Sequence, residues 1–245
     1  MKKTFVPGTD PCFLEESVSS AWGPLLAPVR PGRGYLTVPL PSAHDPGAFL
    51  LCDPLTGLVA YPSFEAHMIA VLPELARGGL HLAIGDVDDL RGYITTRSTD
   101  DPTQFGHLAG NDCMRRVGKA TRQWTTEVLD SWPFALCATF GGDEVIIAAA
   151  GRPYDAFVDA LADLSSRIRS AAPRPCSFAS TTNMPMECTD VTAKDTYRHL
   201  VSRVDQYLLF HKAAARNAGV TLDGALVDLR ALEVLGHSDW RPREQ

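Results

Sequence analysis

Four acidic side chains stand where the chain could bring them together for metal chemistry. Asp86 and Asp88 follow a short apolar run, and Asp143 and Glu144 stand in the turn between two others. Hard cations such as Mg²⁺ are usually held by one or two carboxylates plus substrate phosphates. Two metal ions held between a strand end and a hairpin turn would activate a 3′-hydroxyl and neutralise a departing pyrophosphate. The alternative interpretation is that these acids are solvated in surface turns.

Apolar periodicity predicts the elements that position these acids. The turn Gly141-Gly142-Asp143-Glu144 between two apolar runs predicts a β-hairpin. The polar segment 95–104 contains a proline and is expected to be a loop. The order of elements predicts a one-domain α/β sandwich. We expect helices over 63–76, 111–128, 154–171 and 195–218, and strands over 80–84, 134–140, 145–150 and 177–182.

Composition restricts the cell compartment and the class of partner. Of the 245 residues, 45% are hydrophobic and 21% charged, which is typical of a globular protein. The chain has no apolar run long enough to span a bilayer and no apolar segment typical of a secretory signal. Its six cysteines form no CxxC pair, so we expect reduced thiols and a cytoplasmic location. A net charge of −6 argues against nucleic acid or anionic membrane as partners.

Five segments resemble, in the same order, the motifs of GGDEF domains, the diguanylate-cyclase family. Together they cover about residues 50–218. The matching segments are Asp53-Pro-Leu-Thr-Gly-Leu58 with Phe64 for DxLTGL…F, 85–91 (GDVDDLR) for DxDxFK, 105–111 (FGHLAGN) for GHxxGD, 141–145 (GGDEV) for the signature hairpin, and 204–217 (VDQYLLFHKAAARN) for the closing helix.

The resemblance implies a fold and a division of the chain. The fold would be an α/β sandwich like the palm of nucleotidyl cyclases and polymerases, with a central, mostly antiparallel sheet flanked by helices. The palm-like domain would span 49–220. The preceding residues 1–48 would form an N-terminal arm or small strand-containing cap, and 221–245 a C-terminal extension.

The resemblance also implies a metal site that uses the acids described above. Asp86 and Asp143 would ligate Mg²⁺ or Mn²⁺, and the carbonyl of Val87 would help. Glu144 would assist in metal binding or in deprotonating the 3′-hydroxyl. Asp86, Asp143 and Glu144 are therefore the expected catalytic residues.

Two groups of residues would hold the triphosphate of the substrate. Backbone N–H groups around Asp89, Leu90 and Arg91 would cradle the phosphates, as oriented amides do. Lys212 and Arg216 are one helical turn apart, so both cations would meet the same triphosphate. A solvated helix face is the alternative interpretation of that pair. GTP or ATP is the expected partner.

The positions that would recognise the base depart from the family pattern. Ile94 stands where guanine-binding members have an asparagine, or an insertion within 95–104 displaces that position, and Asn111 stands where they have an aspartate. An amide offers both a donor and an acceptor, so another base, or both purines, is open. Product feedback is not expected, because Trp132 and Ala135 occupy the charged positions of the inhibitory RxxD motif.

Three functions follow from this pattern. The first is a metal-dependent nucleotidyltransferase or cyclase, acting as a homodimer on purine nucleoside triphosphates, releasing pyrophosphate and making a cyclic dinucleotide of open base identity. The second is a repurposed palm that converts a triphosphate to a monophosphate, or does other biosynthetic chemistry on a GTP- or ATP-like substrate. The third is a degenerate domain that binds nucleotides as a regulator.

Overall fold

A computed structural model describes residues 30–32, 35–39, 49–76, 78–100, 106–183, 188–220 and 222–229. The described residues form nine strands, five α-helices and one turn of π-helix after α3. The strands are β1 (Arg30–Gly32), β2 (Tyr35–Pro39), β3 (Phe49–Cys52), β4 (Val59–Ala60), β5 (Leu80–Val87), β6 (Phe134–Thr139), β7 (Glu144–Ala150), β8 (Cys176–Asn183) and β9 (Leu226–Asp228). The helices are α1 (Tyr61–Leu75), α2 (Leu90–Asp100), α3 (Gly106–Trp124), α4 (Tyr154–Ala171) and α5 (Asp190–Asn217), and the π-helical turn is Thr125–Leu129.

The nine strands make one sheet in the order β1-β2-β3-β4-β6-β7-β5-β8-β9. The pairs β4–β6 and β8–β9 are parallel, and the other six pairs are antiparallel. The central strand β5 lies between β7 and β8, so its end is surrounded on both sides. The predicted α/β fold with a mostly antiparallel sheet is confirmed.

Apolar side chains cover both faces of the sheet, because alternate residues of a strand point to opposite faces. In β7, Ile146 packs in the core beneath α1 and α5, while Ile147 packs in the core beneath α3 and α4. Fully buried rings complete the two cores, with Phe64 and Tyr197 in the first and Trp124 in the second. The helices therefore enclose the sheet from both sides.

The loop expected over residues 95–104 is wrong for 95–100. Helix α2 runs through that stretch to Asp100, and residues 101–105 lie outside the described part of the chain. The helix packs against α3, with Tyr93 and Ile94 partly buried, while residues 95–97 are exposed. A helix that buries so few residues shows little apolar periodicity. Pro102 follows the last residue of the helix, where proline is common, so it does not indicate a loop over 95–100.

Four strands were not predicted, and most of the predicted helices and strands shift at their ends, whereas α4 has the bounds predicted for it. Strands β1, β3, β4 and β9 are two to four residues long, too short for a clear alternating pattern. The helices predicted to begin at 111 and 195 begin earlier, at Gly106 and Asp190. Of the predicted arm 1–48, the structure describes β1 and β2, and β2 pairs with β3.

The first motif of the sequence forms a turn that anchors α3. The carboxylate of Asp53 accepts hydrogen bonds from the amide of Thr56 at 2.9 Å and from its hydroxyl at 2.6 Å. Gly57 has a φ of +69°, which favours glycine. A side chain on Gly118 of α3 would come within 2.4 Å of the Thr56 carbonyl oxygen, so the turn and the helix touch directly. The turn therefore has a packing role.

Among the described helices, none combines the length and apolarity needed to cross a membrane.

Candidate metal and phosphate site

The register of the sheet places two predicted catalytic acids side by side. Asp86 of β5 is the direct antiparallel partner of Glu144 of β7. Directly opposed residues of an antiparallel pair share one face of the sheet, and like charges in that position repel each other. The end of β5 therefore lies beside the hairpin turn, as the sequence predicted, because β5 and β7 are neighbours in the sheet.

The hairpin turn is joined to the end of β5 by its backbone. The amide of Val87 donates to the carbonyl oxygen of Asp143 at 3.1 Å, and the amide of Phe140 donates across the turn to the carbonyl of Glu144 at 3.0 Å. The Glu144 carboxylate lies over Gly141, where a side chain would come within 2.7 Å of it. A glycine at this position therefore leaves room for the acid.

The ammonium group of Lys212 lies among the oxygens at the end of β5. Its Nζ is 2.5 Å from Asp86 Oδ1 and 3.3 Å from Asp88 Oδ1. It also donates to the backbone carbonyl of Asp86 at 3.1 Å and to that of Val87 at 3.5 Å. Helix α5 thus brings one cation onto the oxygens of Asp86 and Val87, which the sequence assigned to a metal.

Asp88 connects three parts of the chain beneath this site. Its carboxylate is 3% exposed and accepts hydrogen bonds from the Ser177 hydroxyl at 2.6 Å and the Gly224 amide at 3.0 Å. Its other oxygen faces Lys212. A buried carboxylate needs such donors, because an unpaired buried charge is costly. Asp88 therefore has a clear structural role beside the predicted ligand Asp86.

Two acids at this site, Asp86 and Glu144, have raised pKa values. Burial raises the pKa of the Glu144 carboxyl to about 7, and the carboxylates of Asp86 and Asp205 add to the rise. Burial also raises the pKa of the Asp86 carboxyl, while hydrogen bonding and charge attraction from Lys212 oppose it. Burial disfavours the charged form of a carboxyl group, and nearby carboxylates act in the same direction.

The donor set fits a hard divalent cation. Carboxylate and carbonyl oxygens of Asp86 and Val87 already surround an ammonium group, and such oxygens are the ligands that Mg²⁺ and Mn²⁺ take. Asp143 and Lys212 line the same cavity. Within the described ranges, however, no three His, Cys, Asp or Glu side chains are already arranged around one point. In this arrangement Lys212 supplies the positive charge.

The N-terminus of α2 opens into the same cavity. The first N–H groups of a helix have no carbonyl partner in the preceding turn and attract anions. Asp89, just before the helix, has a φ of +50°, and its carboxylate forms an ion pair with Arg174 at 3.3 Å. Arg174 also donates to the carbonyl of Asp88 at 2.7 Å. Arginine and aspartate thus stabilise the sharp turn between β5 and α2.

These groups line a cavity of about 820 Å³, a size typical of small-ligand sites. It contains all five predicted phosphate-binding residues and three of the four predicted metal ligands, the exception being Glu144. The lining comprises Asp86, Val87, Asp88, Asp89, Leu90, Arg91, Gly92, Thr95, Thr96, Asp143, Lys212, Ala215, Arg216, Val220 and Leu222.

The predicted base-binding residues do not line this cavity. Asn111 is exposed on α3. Ile94 packs toward the same helix, where a side chain on Gly110 would come within 2.8 Å of Ile94 Cδ1. Trp132, at an inhibitory-motif position, is buried against Phe157. The prediction for Asn111 and Ile94 stays a prediction about the bound state.

The cavity also contains residues that the sequence did not single out. Thr95 and Thr96 come from α2, and Val220 and Leu222 follow α5. The stretch LDGALVD at 222–228 holds a recognisable signal, a glycine followed by three apolar residues and an acid, but it is short. Its place at the cavity depends on bonds to Asp88 and Ser177, distant in sequence.

Comparison with known proteins supports the fold at the level of structure alone. No protein-family model matches the chain, and no curated protein matches it in sequence. The GGDEF domain of DgcB from Caulobacter crescentus, solved in complex with c-di-GMP, is 17% identical, with a TM-score of 0.54. That match covers 73% of this chain and 95% of the DgcB chain.

Two domains from Pseudomonas aeruginosa give similar matches. The GGDEF domain of TpbB, or YfiN, is 18% identical with a TM-score of 0.51, covering 76% of this chain and 99% of that one. The diguanylate cyclase SiaD, solved with its activator SiaC, is 21% identical with a TM-score of 0.53. The match covers 72% of this chain and 61% of SiaD. The chain therefore has a GGDEF-like fold, as the five motifs predicted.

Proposed function

We propose that this chain is a metal-dependent nucleotidyltransferase that joins or cyclises purine nucleoside triphosphates and releases pyrophosphate. One observation carries the proposal. A single cavity combines the acids Asp86 and Asp143 with the cations Arg91, Lys212 and Arg216 and with a helix N-terminus. Acids suit a metal ion, and cations with helix N–H groups suit phosphates.

The cationic wall would bind the triphosphate. Lys212 and Arg216 both line the cavity from the last turns of α5, and Arg91 lines it from α2. Charge-assisted hydrogen bonds from such groups to phosphate are stronger than neutral ones. Asp86, Asp143 and the Val87 carbonyl would hold Mg²⁺ or Mn²⁺, which when bound supplies charge neutralisation for the phosphates and acidifies the attacking hydroxyl.

The reaction transfers a nucleotidyl group. The 3′-oxygen of one nucleotide forms a bond to the α-phosphorus of the other, and the bond from that phosphorus to the β-bridging oxygen breaks. Pyrophosphate leaves with the bonding electrons. Glu144 would accept the hydroxyl proton, since it is the direct cross-strand neighbour of the proposed metal ligand Asp86.

A homodimer would complete the reaction. The reaction needs two nucleotides, and the cavity holds one set of acids and phosphate-binding cations. A second copy of the chain would present the second nucleotide, with its 3′-hydroxyl facing the first. GTP and ATP are the expected substrates, and a cyclic dinucleotide is the expected product.

The test is to identify the product directly. Purified protein is incubated with Mg²⁺ or Mn²⁺ and each of the four ribonucleoside triphosphates, singly and in pairs, and the products are identified by mass spectrometry. We expect a cyclic or linear dinucleotide with pyrophosphate from a purine nucleotide. A monophosphate would support the repurposed palm, and absence of both product and nucleotide binding would contradict a nucleotide site.

A second candidate function is nucleotide sensing without catalysis. The observation that favours it is the position of Lys212, whose ammonium lies on Asp86 and on the Val87 carbonyl. A chain in which this ion pair persists would bind the nucleotide without the metal. In the experiment above, nucleotide binding without any product would support this candidate.

A further inference from the structure

Lys212 lies between two carboxylates but is hydrogen-bonded to one of them. An ammonium group has three N–H donors. Here the three are directed to oxygens at the end of β5, namely Asp86 Oδ1 at 2.5 Å, the Asp86 carbonyl at 3.1 Å and the Val87 carbonyl at 3.5 Å. Asp88 Oδ1 lies 3.3 Å from the same nitrogen, yet this buried oxygen accepts no hydrogen bond from the described residues. Lys212 therefore attracts Asp88 by charge alone.

The structural contacts of Asp88 use its other oxygen. Oδ2 accepts hydrogen bonds from the Ser177 hydroxyl at 2.6 Å and from the Gly224 amide at 3.0 Å. The side chain is 3% exposed, so these two bonds fix a buried carboxylate with Oδ1 toward Lys212. An asparagine would accept both bonds through its single side-chain oxygen. The structural role of Asp88 therefore accounts for neither its second oxygen nor its charge.

A divalent cation at the end of β5 would need oxygens that Lys212 now contacts. Asp86 Oδ1 and the Val87 carbonyl belong to the proposed metal site. Two cations in contact with the same oxygen repel each other, so the ammonium group has to move when a metal binds. Asp88 Oδ1 is already 3.3 Å from Nζ, and a charge-assisted N–H···O bond is about 2.8 Å long. A shift of roughly 0.5 Å toward Asp88 would therefore form that bond.

We propose that Asp88 is a positioning residue, which becomes the partner of Lys212 when a metal ion binds to Asp86. The ammonium group changes its carboxylate partner and stays inside the cavity, where it binds the triphosphate together with Arg216. Breaking a buried ion pair is costly, and the new bond to Asp88 offsets the loss of the bond to Asp86. This inference rests on the proposed function and deepens it, because it names the residue that lets the metal and the lysine act in one site.

The test is a double-mutant cycle on metal binding by the full chain. Mn²⁺ affinity without nucleotide is measured by electron paramagnetic resonance for the wild type, Asp88→Asn, Lys212→Met and the double variant. Loss of the Asp88 charge weakens Mn²⁺ binding in both backgrounds, because a nearby negative charge attracts the metal. We expect this loss to be about tenfold larger when Lys212 is present, because the displaced ammonium group then has no bond to Asp88 to gain.

An equal or smaller loss in the presence of Lys212 would overturn the inference. If Lys212 left the cavity on metal binding, its attraction to Asp88 would be lost. Asp88→Asn would then cost less metal affinity in the presence of Lys212 than in the Lys212→Met background. Mn²⁺ binding without the expected coupling refutes the positioning role alone, whereas wild-type protein that binds no Mn²⁺ refutes the proposed function as well.

The matched control is Ser177→Ala, which removes a hydrogen bond to Asp88 Oδ2 and leaves Oδ1 unchanged. It should lower Tm, but its effect on Mn²⁺ affinity should be the same with Lys212 and in the Lys212→Met background. If the effect of Ser177→Ala depended on Lys212 as strongly as that of Asp88→Asn, the coupling would come from disturbance of the turn, and the inference would fail.

A crystal structure of the wild-type chain with Mn²⁺ tests the same contact without any substitution. Lys212 Nζ should lie about 2.8 Å from Asp88 Oδ1, with Asp86 bound to the metal. An ammonium group that is still on Asp86, or that lies outside the cavity, would overturn the inference.

Discussion

The two ends of strand β5 both bury polar groups, but those groups have different partners at each end. At its beginning, His81 has a partner on each ring nitrogen: Nδ1 is 2.9 Å from the Thr182 hydroxyl, and Nε2 is 2.7 Å from the Arg152 carbonyl. Because a carbonyl only accepts, Nε2 carries the proton. Beside it, the Tyr154 hydroxyl donates to Asp228 Oδ1 at 2.9 Å.

The other end of the strand holds more negative charge than its partners balance. Asp86 and Glu144 are direct neighbours across two strands, with Asp88 and Asp143 close by, and Lys212 is the cation that contacts Asp86 and Asp88. Burial raises the pKa of the Glu144 carboxyl to about 7, and the carboxylates of Asp86, Asp205 and Asp143 add to the rise. Perturbed acids of this kind are common at functional sites.

The two ends of β5 therefore differ in their roles: the first stabilises the fold, and the second is the proposed functional site. Where donors and acceptors match, as around His81 and Tyr154, buried polar groups stabilise the fold. Where like charges accumulate, as around Asp86 and Glu144, we propose that a bound divalent cation offsets their repulsion. Substitutions at the acidic end should therefore change activity, and substitutions at the other end should change stability.

The largest effect is expected from Asp86→Asn at the charged end. The substitution keeps the size of the side chain but removes the charge of a proposed metal ligand, so turnover should fall by about 1000-fold. Pyrophosphate release from nucleoside triphosphate measures it. Thr182→Val, at the neutral end of the same sheet, is the control and should keep activity. Equal losses in both variants would show that the two ends do not differ.

Lys212→Met should raise the affinity of the free protein for divalent metal by about tenfold. The ammonium group now contacts oxygens of Asp86 and Val87 that the metal would take, and removing it ends that competition. Binding of Mn²⁺ without nucleotide, followed by electron paramagnetic resonance, measures this. Lys194→Met, an exposed lysine of α5, is the control. Unchanged or weaker Mn²⁺ binding in Lys212→Met would show that the lysine does not compete.

Tyr154→Phe tests the neutral end and should lower stability without affecting activity. The substitution removes hydrogen bonds to Ser180 and Asp228 in a buried position, which costs about 1 to 3 kcal/mol in the free energy of unfolding. Urea denaturation measures the loss, with Tyr93→Phe on half-buried α2 as the control. A loss of turnover at unchanged stability would assign this end a functional role.

The smallest effect concerns His67, a buried histidine of α1 away from both ends. Burial lowers the pKa of its imidazole below 6.5, so the folded state favours the neutral ring. Stability is therefore present above pH 6.5 and is lost as the pH falls below it. His67→Leu should reduce the fall in Tm between pH 7 and pH 5 by about 2 °C. The exposed His199→Leu should not, and parallel curves for wild type and His67→Leu would contradict the assignment.

The elements that meet at the acidic site were predictable because their signals are local. A tight glycine turn predicted the hairpin that carries Asp143, and an apolar run ending in acids predicted the strand that carries Asp86. The spacing of Lys212 and Arg216 predicted that both face one ligand, and both line the cavity. Each of these inferences used residues within one turn or one strand.

The parts that escaped prediction depend on contacts between distant residues. Helix α2 buries few side chains, so its polar sequence resembled a loop. Strand β9 is parallel to β8 and is attached through Asp88 and Ser177, which no local pattern reveals. The ion pair between Lys212 and Asp86 was also missed, because the partner of a cation depends on which ligand is bound.

The most direct test of the account is metal-dependent pyrophosphate release by the wild-type chain and by Asp143→Asn. Purified protein is mixed with ATP and GTP, and Mg²⁺ is titrated while released pyrophosphate is followed. The account predicts no release without the metal, saturable release with it, and none from Asp143→Asn, which should still bind tripolyphosphate. Release that is independent of the metal, or equal in wild type and Asp143→Asn, would contradict the assignment of the acidic end of β5 as the catalytic centre.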